Sequence, residues 1–199
     1  MTRQRSRRYK LRAKVTIAER ADLAVVASPE PLPGACADPR LVALGFRTIT
    51  TTPHGGDEAA YHAHRIALGV PDSADLPSET LFPLDCNFEE LQGVDFAKGC
   101  YVGQEVVSRM QHRGTARRRA IVATAELPLP AGLVPILAGE REIGHLGTVA
   151  GNRALAIVRL DRLDDARQAG IAVTAGGVPL AFELPVGAAF PLKPVAEHG

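Results

Sequence analysis

From Arg117 onward the chain is a succession of short segments rich in Val, Ile, Leu and Ala, each cut off by a glycine-bearing turn. Gly151-Asn152 separates Ile143–Val149 from Ala154–Leu160, and this residue pair suits the positive φ angles of a tight hairpin loop. Gly176-Gly177 supplies a second such turn, and Asp164 to Gln168 reads as a short helical interruption. Several short strands joined by tight turns predict a small antiparallel β-barrel over residues 116–199.

The preceding region, residues 1–115, has a different texture. Tyr9 to Ile17 alternates apolar positions with Lys10, Arg12, Lys14 and Thr16, the pattern of a half-buried strand. Leu23–Ala27 reads as a returning strand, residues 29–39 as a proline-rich loop, and Leu41–Ile49 as a further strand. Asp57 to Leu68 predicts a helix, capped at Gly56 or Asp57 and stopped by Gly69 and Pro71. Short helices are expected around Asn87–Leu91 and Gly103–His112, the second ended by Gly114. The sum is an α+β chain, an antiparallel sheet with helices followed by the barrel, with a domain boundary near 114–118.

Composition narrows the function classes. Hydrophobic residues are 46% and charged residues 23% of 199, the balance of a water-soluble globular protein. No apolar run approaches the ~18–20 residues of a spanning helix, so no membrane role is expected. The Arg-rich start lacks an apolar h-region, and a cytoplasmic protein is expected. The three cysteines, Cys36, Cys86 and Cys100, form no C-x-x-C pair. Neither a disulfide framework nor a structural zinc site is expected. Basic residues cluster in 1–20 and 109–119, while the net charge is only +1 and there is no Trp. Direct nucleic-acid binding is therefore not expected, since stacking platforms are poorly supplied.

The segment that carries chemistry is Lys98-Gly99-Cys100-Tyr101-Val102-Gly103-Gln104-Glu105. Gly99 and Gly103 flank a cysteine where a loop enters a predicted helix. A thiol there feels the positive end of the helix dipole and the charge of Lys98, both of which favour thiolate. Such a thiol can ligate a metal or act as a nucleophile. A buried structural cysteine in a tight turn fits the same residues, and Gln104 and Glu105 also suit an ordinary first helical turn. Glu105 and Arg109, at i and i+4, can form a plain surface pair.

The stretch Pro83–Gly114 resembles the signature region of the YgfZ family, whose K-G-C-[FY]-x-G-Q-E core is matched at every fixed position, followed by Arg109 and His112-Arg113-Gly114. Tyr9–Val15 resembles the family's Y-x-L-R-x-K-V strand, and Arg65-Ile66 with Gly69-Val70-Pro71 its R-I-x-x-G-x-P segment. Ile143-Gly144 and Ala154–Arg159 resemble motifs of its C-terminal barrel. The resemblance implies the fold of the glycine-cleavage T-protein, with part of the N-terminal domain lacking and its antiparallel sheet incomplete. Self-association through that sheet is one expected consequence.

The resemblance also implies an accessory role in assembly or repair of [4Fe-4S] proteins. Expected clients include radical-SAM enzymes, some of which modify tRNA. Tetrahydrofolate is the implied ligand, and no permanently bound metal is expected. Cys100 is the implied functional thiol, with Lys98, Gln104 and Glu105 beside it and Gly99, Tyr101 and Gly103 setting the geometry. Arg65, Arg109 and Arg113 are candidates to pair with a folate's glutamyl tail, because guanidinium matches carboxylate bidentately. The competing reading is a tetrahydrofolate-dependent aminomethyltransferase of the T-protein type. His62 and His64, at i and i+2 of a helix, point to different faces and are not expected to share a metal.

Overall fold

A computed structural model of the chain describes residues 14–53, 55–76, 81–99, 104–113 and 117–192, with only the backbone of 111–113. The chain divides into two compact units, one of residues 1–37 and 45–56, the other of 38–44 and 57–199. This division differs from the 1–115 and 116–199 split read from the sequence: the helix Glu58–Ala67 packs on strands of the barrel and falls in the same unit.

The smaller unit is a three-stranded antiparallel sheet of β1 (Ala24–Ser28), β2 (Cys36–Ala37) and β3 (Phe46–Thr50), in the order β1-β3-β2. Val25 and Ile49 sit opposite one another and are both exposed. The strand expected over Leu41–Ile49 is broken. Val42–Leu44 forms a 3-10 turn and the strand begins only at Phe46. Gly45 between them has φ +80°, and a Cβ there would lie 2.4 Å from the Ser28 carbonyl oxygen. No other residue fits that point, so the chain must turn before it can pair. The strand expected over Tyr9–Ile17 lies largely outside the described residues, and its portion 14–17 has no regular structure.

The larger unit is α+β. Its helix α1 (Glu58–Ala67) is capped by the Asp57 carboxylate, which accepts from the Ala60 amide. At its end Gly69 takes φ +75°, and the Gly69 and Val70 amides donate back to Ile66 and Arg65. A side chain at Gly69 would also strike Pro185, which the returning C-terminal segment lays against it. Helix α2 spans Gln104–Arg113, and α3 spans Leu160–Gln168, beginning four residues before the turn read from the sequence. The helix expected at 87–91 is replaced by a 3-10 turn at Pro83–Cys86 and a run of hydrogen-bonded turns. Asn87 closes that turn in the left-handed conformation, φ 57°, and donates from Nδ2 to the Ala120 carbonyl. No helix among the described residues is long and apolar enough to cross a membrane.

The barrel comprises β4 (Arg118–Thr124), β5 (Pro135–Ala138), β6 (Arg141–Ala150), β7 (Arg153–Arg159), β8 (Val173–Ala175), β9 (Val178–Pro179) and β10 (Ala181–Glu183). They form one antiparallel, nearly closed sheet in the order β10-β4-β7-β6-β5-β8-β9, its two end strands being consecutive in the chain. Gly151-Asn152 and Gly176-Gly177 make the two expected hairpin turns. The interior is filled by Ile121, Ala123, Ile136, Leu146, Ala156, Val158 and Leu163. The other face of β4 and β7 is also buried, with Ala120, Leu155 and Ile157 packed against Ile66 of α1. Two covered faces explain why Ala154–Val158 is continuously apolar where a barrel strand facing water would alternate.

Candidate functional site

The signature segment leads into α2. Gln104, Val107 and Met110 recur at helical spacing on the covered face; Val107 is buried and the other two half-buried. Glu105 and Arg109 lie on the opposite, solvent side and form an exposed i,i+4 ion pair. Lys98 and Gly99 are exposed just upstream. Gly99 has φ +88°, and a Cβ added there would meet nothing within 4 Å. The glycine is thus required by backbone conformation and not by crowding. Cys100, Tyr101 and Gly103 lie outside the described residues, as does the side chain of Arg113.

Arg65 is placed differently from its expected role. It is fully buried, and its guanidinium is spent inside the protein. Nε donates to His62 Nδ1 at 2.8 Å, Nη1 to Asp75 Oδ2 at 2.7 Å and to the Val70 carbonyl at 3.1 Å, and Nη2 to Thr148 Oγ1 at 2.7 Å. Asp75, also fully buried, accepts in addition from the Asp72 and Thr148 amides at 2.7 and 2.5 Å. Four internal bonds leave this arginine no exposed atom to offer a folate carboxylate, so its function is to clamp α1 to β6. Arg109 remains the exposed candidate among those described.

The clamp depends on a bulge. The β6–β7 register shifts between Leu146 and Val149, and Gly147-Thr148 fill the irregularity. A Cβ at Gly147 would lie 2.5 Å from Asp75 Oδ1. Asp75 and Thr148 were not singled out in the sequence, because neither neighbours Arg65 along the chain. The only signal was indirect: the two family-like motifs around Arg65 and after Gly144 are joined here in space.

The described cysteines separate by environment. Cys36 is exposed, whereas Cys86 is buried. Burial, with a smaller contribution from Asp85, pushes the Cys86 thiol up to about 12, so it stays protonated at neutral pH. Cys86 is a packing residue. His62 and His64 diverge as expected, one receiving the Arg65 bond and the other meeting the Ala43 carbonyl through Nε2. No group of three or more metal-ligating side chains occurs among the described residues.

Residues 117–190 match the family model described as the CAF17 C-terminal beta-barrel domain. The chain is 32% identical over 185 residues to the human iron-sulfur cluster assembly factor IBA57, mitochondrial, covering 78% of this chain and 52% of that protein. The mouse protein of the same name is 31% identical over 186 residues with the same coverage. A Neurospora crassa homologue is 39% identical over 97 residues, 44% of this chain and 22% of its own length. The chain thus spans about half the length of the human and mouse relatives. All three are named as mitochondrial, which overturns the expectation of a cytoplasmic protein.

Proposed function

The chain belongs to the YgfZ family, the T-protein-like group that includes these assembly factors, and from that premise we propose that it serves in the assembly or repair of [4Fe-4S] proteins through the thiol of Cys100. The supporting observation is the exposed approach to that residue. Lys98 and Gly99 stand in solvent, Gly99 is held by its backbone and not by neighbours, and α2 starts four residues after Cys100. A ledge of this kind lets a client's cluster or thiol come close, while the buried Cys86 cannot serve. Tetrahydrofolate is the proposed small-molecule ligand, with Arg109 and Arg113 rather than Arg65 as tail contacts. The proposed clients are cluster enzymes of the radical-SAM kind.

The test is the activity of a [4Fe-4S] enzyme in cells lacking their own YgfZ-type protein. Rescue by this chain and not by its Cys100→Ala form is the expected result. Rescue by both removes Cys100 from the mechanism and favours folate-dependent aminomethyl transfer. Failure of both, with rescue by a full-length relative, shows that these residues alone do not suffice for the activity.

A further inference from the structure

On the outside of the barrel, where β6, β7 and the start of β4 meet α3, lies a cavity of about 390 Å³. Its volume suits a small molecule. Arg118, Arg159 and Arg162 line it, with Glu142 as the lining carboxylate and Leu81 and Ile157 as an apolar floor. Arg118 and Arg159 are direct cross-strand partners, a placement of like charges that destabilises a sheet unless negative charge is supplied. Asp161 supplies part of it, binding Arg159 through Nε and Nη2 at 3.0 and 2.5 Å. Arg162 uses Nη1 on the Glu142 carbonyl at 3.0 Å, and its Nε is buried without a hydrogen-bond partner. His145, on the same wall, also has a buried Nε2 with no partner.

Buried donors without acceptors are rare in folded proteins, because each forfeits its hydration. Here one sits on a guanidinium among two others, beside an imidazole whose ring also interacts with the Asp75 carbonyl. Among the described residues of this surface, the Arg162 Nε–H is the donor left without an acceptor. We infer that the cavity is a binding site for a small molecule carrying a phosphate or carboxylate group, held by Arg118, Arg159 and Arg162 with His145 beside it and its apolar portion resting on Leu81 and Ile157. Guanidinium forks pair with either group bidentately. The inference does not depend on Cys100.

The experiment is NMR titration of the full chain at low ionic strength with inorganic phosphate and, separately, glutarate, following the His145 ring and the Arg162 Nε–H resonances. Saturable shifts of both are expected with at least one probe, at a Kd on the order of 1 mM. Saturation with phosphate alone identifies a phosphate ester as the ligand class, and with glutarate alone a carboxylate. Arg118→Gln and Arg162→Gln should each weaken binding by about tenfold, the effect of losing one charge-assisted contact. Because bound oxyanion stabilises the protonated ring, the His145 titration should move upward when the probe is saturating. Arg118, Glu142 and Asp75 are the other charged groups bearing on that ring, and they are present in both states. No saturable shift at His145 or Arg162 with either probe up to roughly 20 mM, more than ten times that Kd, overturns the inference. So does binding that both arginine variants leave intact. The wild-type titration decides the question even if a variant fails to fold.

Discussion

The clamp around Arg65 and the ledge around Gly99 both contain an arginine paired with a carboxylate, and the two pairs do opposite things. Arg65 and Asp75 are wholly buried, and each is bonded several times over. Glu105 and Arg109 stand in water and hold each other. Inside, charge is tolerated because each ion is hydrogen-bonded by several neighbours as well as by its counter-ion; outside, it costs little and fixes little. Burial decides whether a charged pair acts as architecture or as accessible surface.

The sharpest way to break this contrast is Asp75→Ala. It strands a buried guanidinium, and the expected loss is about 3–5 kcal/mol in urea unfolding; a loss below about 1 kcal/mol would place the pair in the same class as the surface one. Gly99→Ala should cost about 1 kcal/mol through its left-handed backbone alone, with Gly99→Asn milder because Asn tolerates that region. A larger loss would mean that the ledge is packed after all.

His145 offers a pH test on the clamp side. Burial holds its pKa below the ordinary histidine value. Above about pH 6.5 the ring is neutral in folded and unfolded chains and its stabilising share is complete. As the pH falls through that value the unfolded chain takes up the proton first, and stability declines until the folded-state pKa is passed. His145→Gln should flatten this limb in urea midpoints measured between pH 7 and 5. The smallest effect belongs to the ledge: Glu105→Ala should change stability by no more than about 0.5 kcal/mol, and added salt should erase the difference.

The same division governs what could be read from the sequence. Helix α1 was legible because its signals are local: an Asp cap, a Gly at the end and a Pro beyond. Both hairpins were legible because Gly151 and Gly176-Gly177 supply the positive φ angles that their turns require. The continuous strand at 41–49 was misread, since the approach of Gly45 to Ser28 is invisible without the paired strand. Arg65 was misread for a related reason. Its partners Asp75 and Thr148 lie 10 and 83 positions away, so nothing nearby in the chain distinguishes a buried arginine from one waiting for a ligand. The signature motif itself was plain, but a motif names residues without fixing their exposure.

Strands β4 and β7 carry the barrel interior on one face and Ile66 of α1 on the other. They belong to two layers at once, so α1 cannot lift away without wetting Ala120, Leu155 and Ile157. Local opening of the helical layer is thereby tied to loosening of the barrel. Amide exchange in these two strands and in α1 should accordingly follow a single free energy, that of unfolding the whole unit.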